Sequence, residues 1–237
     1  MEKIGFLDLG QTSIRPNSDI TGFNQDGREF AVVGVYDGAV FIDITNPENP
    51  DIVGKISGSN SSWRDIKYWD RHIYIGTDGV GDGVNVISVD DPYNPILVNT
   101  ISDFTSSHNI HIDTEGYLYV LGAADHDIWI YDLSNPSLPE LVGYWNGEYL
   151  HDIEVYKNKL YGAAIYSGKF YIIDVSDKSN PTILVVHDTG GAYISTHDCA
   201  VTEDEQYLIT ADEKTGGHVS IWDISNYNNI NRVSAYM

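Results

Sequence analysis

Five copies of one short phrase run through the sequence and limit the folds open to it. The phrase reads FIDITNPENP at 41–50 and returns, more loosely, as VISVDDPYNP (86–95), WIYDLSNPSLP (129–139), YIIDVSDKSNP (171–181) and SIWDISNYNNI (220–230). The copies follow one another at steps of 42 to 49 residues, a period typical of solenoids, propellers and repeat arrays. The chain is therefore predicted to repeat one structural unit.

Each copy combines a strand with a turn that ends it. β-Branched, aliphatic and aromatic residues come first and suit a pleated, buried surface. Asp43, Asp132, Asp174 or Asp223 then ends the strand, and its carboxylate is expected to accept a hydrogen bond from the backbone N–H two residues on. Ser88 is expected to do the same more weakly in the second copy. The prolines that follow remove ladder donors, so the sheet stops there and a new apolar run begins.

The stretches between the phrases supply two more strands per unit, which gives four in all. Four antiparallel strands repeated at this period are the pattern of β-propeller blades. We predict an all-β fold, a β-propeller of four-stranded antiparallel blades, with five blades in this sequence and a sixth missing or incomplete. The chain is predicted to form a single domain, 1–237, with blades at about 18–56, 63–101, 107–145, 150–188 and 196–237 and a closing strand at 3–9.

Composition excludes several classes of partner. The 237 residues carry 35 acids against 13 bases, a net charge of −22, and nucleic acids and anionic membranes need a basic surface instead. A charge of this size draws cations. The lone cysteine, Cys199, excludes an internal disulfide framework. No signal peptide precedes the repeats and no apolar run is long enough to span a bilayer, so the protein is expected to be cytoplasmic if Met1 is native and exported if a signal lies outside this sequence.

Longer strings carry a resemblance to a known family. GREFAVVGVYDGAVFIDITNPENP, SSWRDIKYWDRHIYI, SSHNIHIDTEGYLYVLG, DVSDKSNPTIL and THDCAVTEDEQYLITADE resemble successive blades of LVIVD-repeat propellers, in particular the choice-of-anchor B proteins. The resemblance implies an extracellular or cell-surface propeller of bacteria or archaea, with one more blade followed by an anchor. This sequence lacks that blade and the anchor, so we expect an incomplete ring that can associate with a second copy through its open edge.

The position at the start of each first strand holds residue types that often bind ligands. In a propeller the first strand of each blade is innermost, and its first residues face the central channel. Aligning the units places these pairs there: Ser18-Asp19, Arg64-Asp65, His108-Asn109, His151-Asp152 and His197-Asp198. Because alternate strand residues point to opposite faces, the three histidines share a phase with Arg64. A ligand-binding funnel formed by Arg64, His108, Asn109, His151 and His197 is therefore predicted.

The histidines leave three interpretations open. His108, His151 and His197 are suited to a transition metal such as zinc, since neutral imidazoles are its common ligands and three of them leave a position open. They can equally satisfy buried polar groups between blades. The third interpretation is a ligand or catalytic pocket without metal. A separate calcium site is predicted at Asp78 and Asp82 in the loop TDGVGDG, although Asp-Gly is also ordinary turn chemistry.

Three functions are consistent with these patterns. The preferred one is a binding or interaction module whose acidic, histidine-lined funnel takes a cation, a small ligand or a protein at the cell surface. The alternative is a metal-dependent hydrolase or lyase in which His108, His151 and His197 hold the metal and Asp65, Asp152 or Asp198 acts as the base. The third is a purely structural surface propeller, because fold alone does not fix function.

Overall fold

A computed structural model describes residues 3–190 and 195–237. In this part of the chain every regular element is a β-strand, and the twenty strands form five four-stranded antiparallel sheets. The predicted fold class is confirmed: the chain is all-β with the blades of a β-propeller. No described helix is long and apolar enough to cross a membrane.

The strands fall into one sheet per sequence repeat. The first two sheets comprise β1 (Ile20–Gln25), β2 (Arg28–Val35), β3 (Gly38–Asp43) and β4 (Asp51–Ser57), then β5 (Arg64–Trp69), β6 (His72–Thr77), β7 (Val84–Ser88) and β8 (Ile96–Ile101). The third comprises β9 (Asn109–Ile112), β10 (Tyr117–Leu121), β11 (Ile128–Asp132) and β12 (Glu140–Trp145). The last two comprise β13 (Asp152–Tyr156), β14 (Lys159–Ala164), β15 (Lys169–Asp174) and β16 (Thr182–Asp188), then β17 (Thr196–Val201), β18 (Tyr207–Asp212), β19 (Val219–Asp223) and β20 (Asn231–Tyr236).

Two compact units divide the chain. The first contains Met1–Ile112 and Asp132–Glu140, and the second contains Asp113–Tyr131 and Leu141–Met237. Each has its own apolar core. In the first unit Phe41, Ile66 and Ile73 are buried in one cluster, and in the second Tyr161 and Phe170 are buried in another. The assignment of 1–237 to a single domain stays a prediction.

The strand-ending turns form as the sequence predicts. Each terminal side chain accepts a hydrogen bond from the backbone N–H two residues on: Thr45 N to Asp43 (2.9 Å), Asp90 N to Ser88 (3.2 Å), Ser134 N to Asp132 (2.6 Å), Ser176 N to Asp174 (2.9 Å) and Ser225 N to Asp223 (3.0 Å). Hydrogen bonds from Thr45 and Tyr93 hold the pKa of Asp43 at about 2. The carboxylates are therefore ionised acceptors that fix the turn between the third and fourth strands.

The strand predicted over residues 3–9 is not formed. Leu7 and Leu9 instead pack against Val33, Val40 and Ile42, on the face of the first sheet. A strand requires a neighbouring edge with free backbone groups, whereas this segment uses its apolar side chains to cover a sheet face. The closing of a ring by residues 3–9 stays a prediction.

The fourth strands of four sheets contain bulges. In four sheets the fourth strand carries one extra residue opposite the third: Val53, Val98, Leu184 and Val233. Such a bulge twists an edge strand and hinders pairing with another chain. The innermost strands β1, β5 and β13 pair with their neighbours without a bulge.

Glycine in the outer strand lets the turn of the next repeat approach closely. A Cβ on Gly143 of β12 would lie 1.9 Å from the carbonyl oxygen of Lys178, and one on Gly54 of β4 would lie 2.6 Å from the Pro95 ring. Within each unit, neighbouring repeats thus interlock at a position with no room for a side chain.

Gly143→Ala should therefore destabilise the protein by about 1–3 kcal/mol, because backbone has to move to admit the methyl group. Denaturant unfolding measures the loss. Gly22→Ala in β1 is the matched control, since its Cβ would meet nothing nearer than 3.5 Å, and it should cost less than about 0.5 kcal/mol. Equal stability of the two variants would contradict the interlock.

Candidate functional site

Two of the predicted histidines meet in the second unit. The imidazole centroids of His151 and His197 lie 4.0 Å apart with the rings tilted by 38°. Oδ2 of Asp152 lies 3.0 Å from Nδ1 of His151 and 3.9 Å from Nδ1 of His197. In residues 3–190 and 195–237 this is the one group of three His, Cys, Asp or Glu side chains whose potential ligand atoms all lie within 4.8 Å of one another. We call it the His–Asp–His cluster.

The inner strands of the last two sheets supply this cluster. Asp152 opens β13, and His151 immediately precedes it with its backbone N–H donating to the carbonyl of Ala163 (2.7 Å). β17 contacts β13 and carries His197 as its second residue. The three side chains are only partly exposed, at 14% for His151, 22% for Asp152 and 31% for His197. They are therefore both held by regular structure and open to a small solute.

A β-bulge delivers His197 to the cluster. Thr196 pairs with Asp212 and Asp198 pairs with Ala211, so His197 is an extra residue opposite β18. The inner strands of the first, second and fourth sheets have no such irregularity. Bulges beside functional sites re-aim a side chain that regular pairing would send elsewhere. The sequence gives no signal for it, because a bulge is defined by the partner strand.

Asp198 adds a second carboxylate beside the cluster. Burial, then the nearby charge of Asp152, raises its pKa, and its Oδ1 accepts a hydrogen bond from the N–H of Cys199 (2.7 Å). Cys199 itself is buried, and burial raises the pKa of its thiol. The predicted base Asp152 lies beside both imidazoles, where it could serve as a third ligand, and the predicted base Asp198 lies close enough for its charge to interact with both histidines.

His108 belongs to the first unit. Its Nδ1 lies 3.0 Å from Oδ1 of Asp78, and Asn109 follows as the first residue of β9. Asp82 has a different partner, Ser59, whose backbone N–H (2.6 Å) and hydroxyl (2.8 Å) both donate to it. The two carboxylates proposed for calcium thus each have a separate protein partner, and the calcium assignment stays a prediction.

Arg64 has a structural environment. Its side chain is buried, and the guanidinium donates to the carbonyls of Val35 (2.9 Å), Tyr36 (3.2 Å) and Ser59. Burial acts to lower its pKa, although the charges of Asp82 and Asp37 oppose that effect. The guanidinium thus donates hydrogen bonds to three backbone carbonyls, which is a structural role.

Asp65 likewise joins neighbouring strands. Its Oδ2 accepts from the N–H of Ile110 (2.7 Å), while Oδ1 accepts from Ile66 (3.0 Å) and contacts the Lys67 ammonium. Asp19 uses the same device one repeat earlier, since its Oδ2 accepts from Ile66 at 2.9 Å. Burial, and next the neighbouring carboxylate of Asp19, raises the pKa of Asp65 to about 7. Asp65, predicted as a candidate base, thus accepts hydrogen bonds from backbone N–H groups of its own strand and of the neighbouring sheet.

Comparisons with known proteins agree with the fold. Residues 107–146 and 149–189 match the LVIVD repeat, so the chain contains LVIVD repeats. No curated protein matches the sequence significantly.

Solved structures of similar fold share little sequence with the chain. A functionally unknown protein from Desulfotomaculum acetoxidans has a TM-score of 0.71 at 16% identity, over 99% of this chain and 74% of that chain. A protein from Lactobacillus plantarum has a TM-score of 0.66 at 12% identity, over 92% and 66%. The periplasmic gluconolactonase of Pseudomonas aeruginosa has a TM-score of 0.66 at 12% identity, over 95% and 72%. At these identities the likeness concerns the fold alone.

Proposed function

We propose that the protein is a binding propeller whose second unit takes a divalent transition-metal ion at His151, Asp152 and His197. The observation that carries the proposal is the bulge at His197, an irregularity in an inner strand that brings one imidazole to within 4.0 Å of the other and beside the same carboxylate. Bulges occur often beside functional sites, where they redirect a side chain, and this supports a binding role for His197.

The donor set favours a particular class of metal. In a tetrahedral zinc site, ligand atoms about 2.0–2.2 Å from the ion lie roughly 3.3–3.6 Å from one another. The distances of 3.0 and 3.9 Å from Asp152 Oδ2 to the two Nδ1 atoms bracket that spacing. Two nitrogens and one oxygen suit zinc, nickel or copper better than calcium, which prefers six or more oxygens. The net charge of −22 favours any cation.

Zinc titration of the purified, chelator-treated protein tests this proposal. Isothermal titration should give one equivalent per chain, and His151→Ala or His197→Ala should weaken binding by at least about 100-fold, because losing even an outer-shell partner of a ligand costs 10–100-fold. His218→Ala is the matched control, a histidine of the same unit outside the cluster. Zinc binding that survives both cluster variants, or is absent from the wild type, would overturn the proposal.

A metal-dependent hydrolase is the second candidate. Three protein donors leave a zinc ion with an open position, the arrangement in which catalytic zinc holds water. One solved structure of similar fold is a gluconolactonase, so lactones are the first substrate class to assay. Zinc-dependent hydrolysis of gluconolactone that is lost in His151→Ala but kept in His218→Ala would replace the binding function by this one. No turnover above the spontaneous rate would leave the binding function.

We further propose where and with what the protein acts. Its resemblance to choice-of-anchor B propellers supports an extracellular or cell-surface location, and a small ligand or a protein at that surface as partner. Association with a second copy belongs to the same proposal. Cell fractionation of the native host and a light-scattering mass of the pure protein test these two points.

A further inference from the structure

A polar cavity in the first unit is separate from the His–Asp–His cluster of the second unit. Its volume is about 230 Å³, and it opens between the segment 9–17 and the loop that joins β2 to β3. The polar residues that line it are Gln11, Arg15, Asn17, Tyr36, Asp37 and Lys55.

Backbone hydrogen bonds hold both walls of this cavity. On one side Thr12 and Arg15 exchange N–H to carbonyl bonds of 3.0 and 3.1 Å, which closes a tight turn, and Ser18 N donates to the carbonyl of Gly34 (2.9 Å). On the other side the carbonyl of Tyr36 accepts from Ser61 N at 2.9 Å. Backbone hydrogen bonds therefore help to shape both walls of the cavity.

The charges in the cavity are unusual for this protein. Lys55 Nζ and Asp37 Oδ1 form an ion pair of 2.7 Å, and hydrogen bonding to Lys55 lowers the pKa of Asp37. The Arg15 guanidinium lies over the ring of Tyr36, 5.4 Å from its centroid, and no described carboxylate forms an ion pair with it. Two cations thus face one anion in a chain where acids outnumber bases by almost three to one.

We propose that this cavity binds a small carboxylate that also carries hydroxyl groups. The planar guanidinium of Arg15, which lies over the Tyr36 ring, presents a fork of donors that matches a carboxylate. Asp37 can accept from one hydroxyl and Lys55 can donate to another, while the amides of Gln11 and Asn17 can both donate and accept. Neither a bare anion nor a neutral sugar would use both sets of groups.

Three probes separate the contribution of the ligand's carboxylate from that of its hydroxyl groups. Gluconate has a carboxylate and hydroxyls, acetate has the carboxylate alone, and glucose has the hydroxyls alone. With the chelator-treated protein, so that the His–Asp–His cluster holds no metal, gluconate should saturate one site, with acetate and glucose each at least roughly tenfold weaker, about 1.4 kcal/mol. Calorimetry or ligand-observed NMR measures all three.

Variants locate the binding. Arg15→Met should weaken gluconate binding roughly tenfold or more, and Arg15→Lys should give an intermediate value, because lysine keeps the charge and loses the fork. Arg232→Met is the matched control, since Arg232 also lies over an aromatic ring, that of Trp222 at 5.9 Å, in the other unit. Unchanged melting temperatures verify that both variants are folded.

Two results would overturn the proposal. One is gluconate that binds no better than acetate and glucose, and the other is equal gluconate binding by Arg15→Met and Arg232→Met. Neither depends on zinc, so failure here leaves the metal site standing, and failure of the metal site leaves this cavity standing.

Discussion

Replacing Lys178 by Met should destabilise the protein by about 3–5 kcal/mol, the cost of removing one partner from a buried ion pair. The Lys178 side chain is only 8% exposed, and its Nζ lies 2.9 Å from Oδ1 of Asn158, 3.4 Å from Glu115 and 3.7 Å from Asp113. It also lies over the ring of Tyr117 at 4.7 Å. Methionine would fill the volume but leave the buried carboxylate of Asp113 without its cation.

Chemical denaturation of Lys178→Met beside Lys169→Met checks this expectation. Lys169 is 37% exposed and lies 3.9 Å from Glu148, so its loss should cost less than about 1 kcal/mol. Adding Asp113→Asn to Lys178→Met should recover part of the loss, because the uncompensated charge is then gone. Equal losses of unfolding free energy in the two lysine variants would show that the buried ion pairs of Lys178 stabilise the protein no more than an exposed pair does.

Arg64→Met should cost about 2–4 kcal/mol, since three carbonyls lose a charged donor at once. Two of them, those of Val35 and Tyr36, lie at the end of β2 and just beyond it, and the third, that of Ser59, lies in the connection to the second sheet. The loss should appear in denaturant midpoints. Amide hydrogen exchange of residues 57–61 should also quicken, because the guanidinium holds that connection in place.

Arg28→Met gives the comparison for Arg64. The Arg28 side chain is 51% exposed and pairs with Asp43 at 3.2 Å, so it should lose less than about 1 kcal/mol and leave exchange at 57–61 unchanged. If Arg64→Met lost no more stability than Arg28→Met and left exchange at 57–61 unchanged, the structural role of Arg64 would be contradicted. Its guanidinium would then be available to a ligand, as the sequence predicts.

The fold could be predicted because the same strand–turn–strand motif occurs five times in the sequence. Asp43 and its equivalents end a strand by accepting a hydrogen bond from the backbone N–H of the residue two positions on. Local sequence alone therefore specifies the turn. Alternation of side chains then places the start of each inner strand in one register. That argument places His151 and His197 at the same end of two inner strands, and the bulge at His197 accompanies their approach to 4.0 Å.

The same register argument predicts where a residue lies but not which partner its side chain contacts. It places Arg64 with the histidines, yet a long side chain can turn to any acceptor within reach, and Arg64 turns to backbone carbonyls of its own unit. The bulge at His197 depends on the partner strand β18. The burial of Lys178 depends on how its turn packs against other parts of the unit. Such features belong to tertiary pairing, which a pattern along one chain does not encode.

Every sheet is made of four strands that follow one another in the chain, and this has a kinetic consequence. Each pairing closes only a short loop, so contact order is low for an all-β protein and the entropy lost before the first contacts form is small. A repeat can therefore reach its hairpin registers during synthesis, before the following repeat has been made. Refolding should be limited by the docking of sheets already formed, not by the search for strand partners.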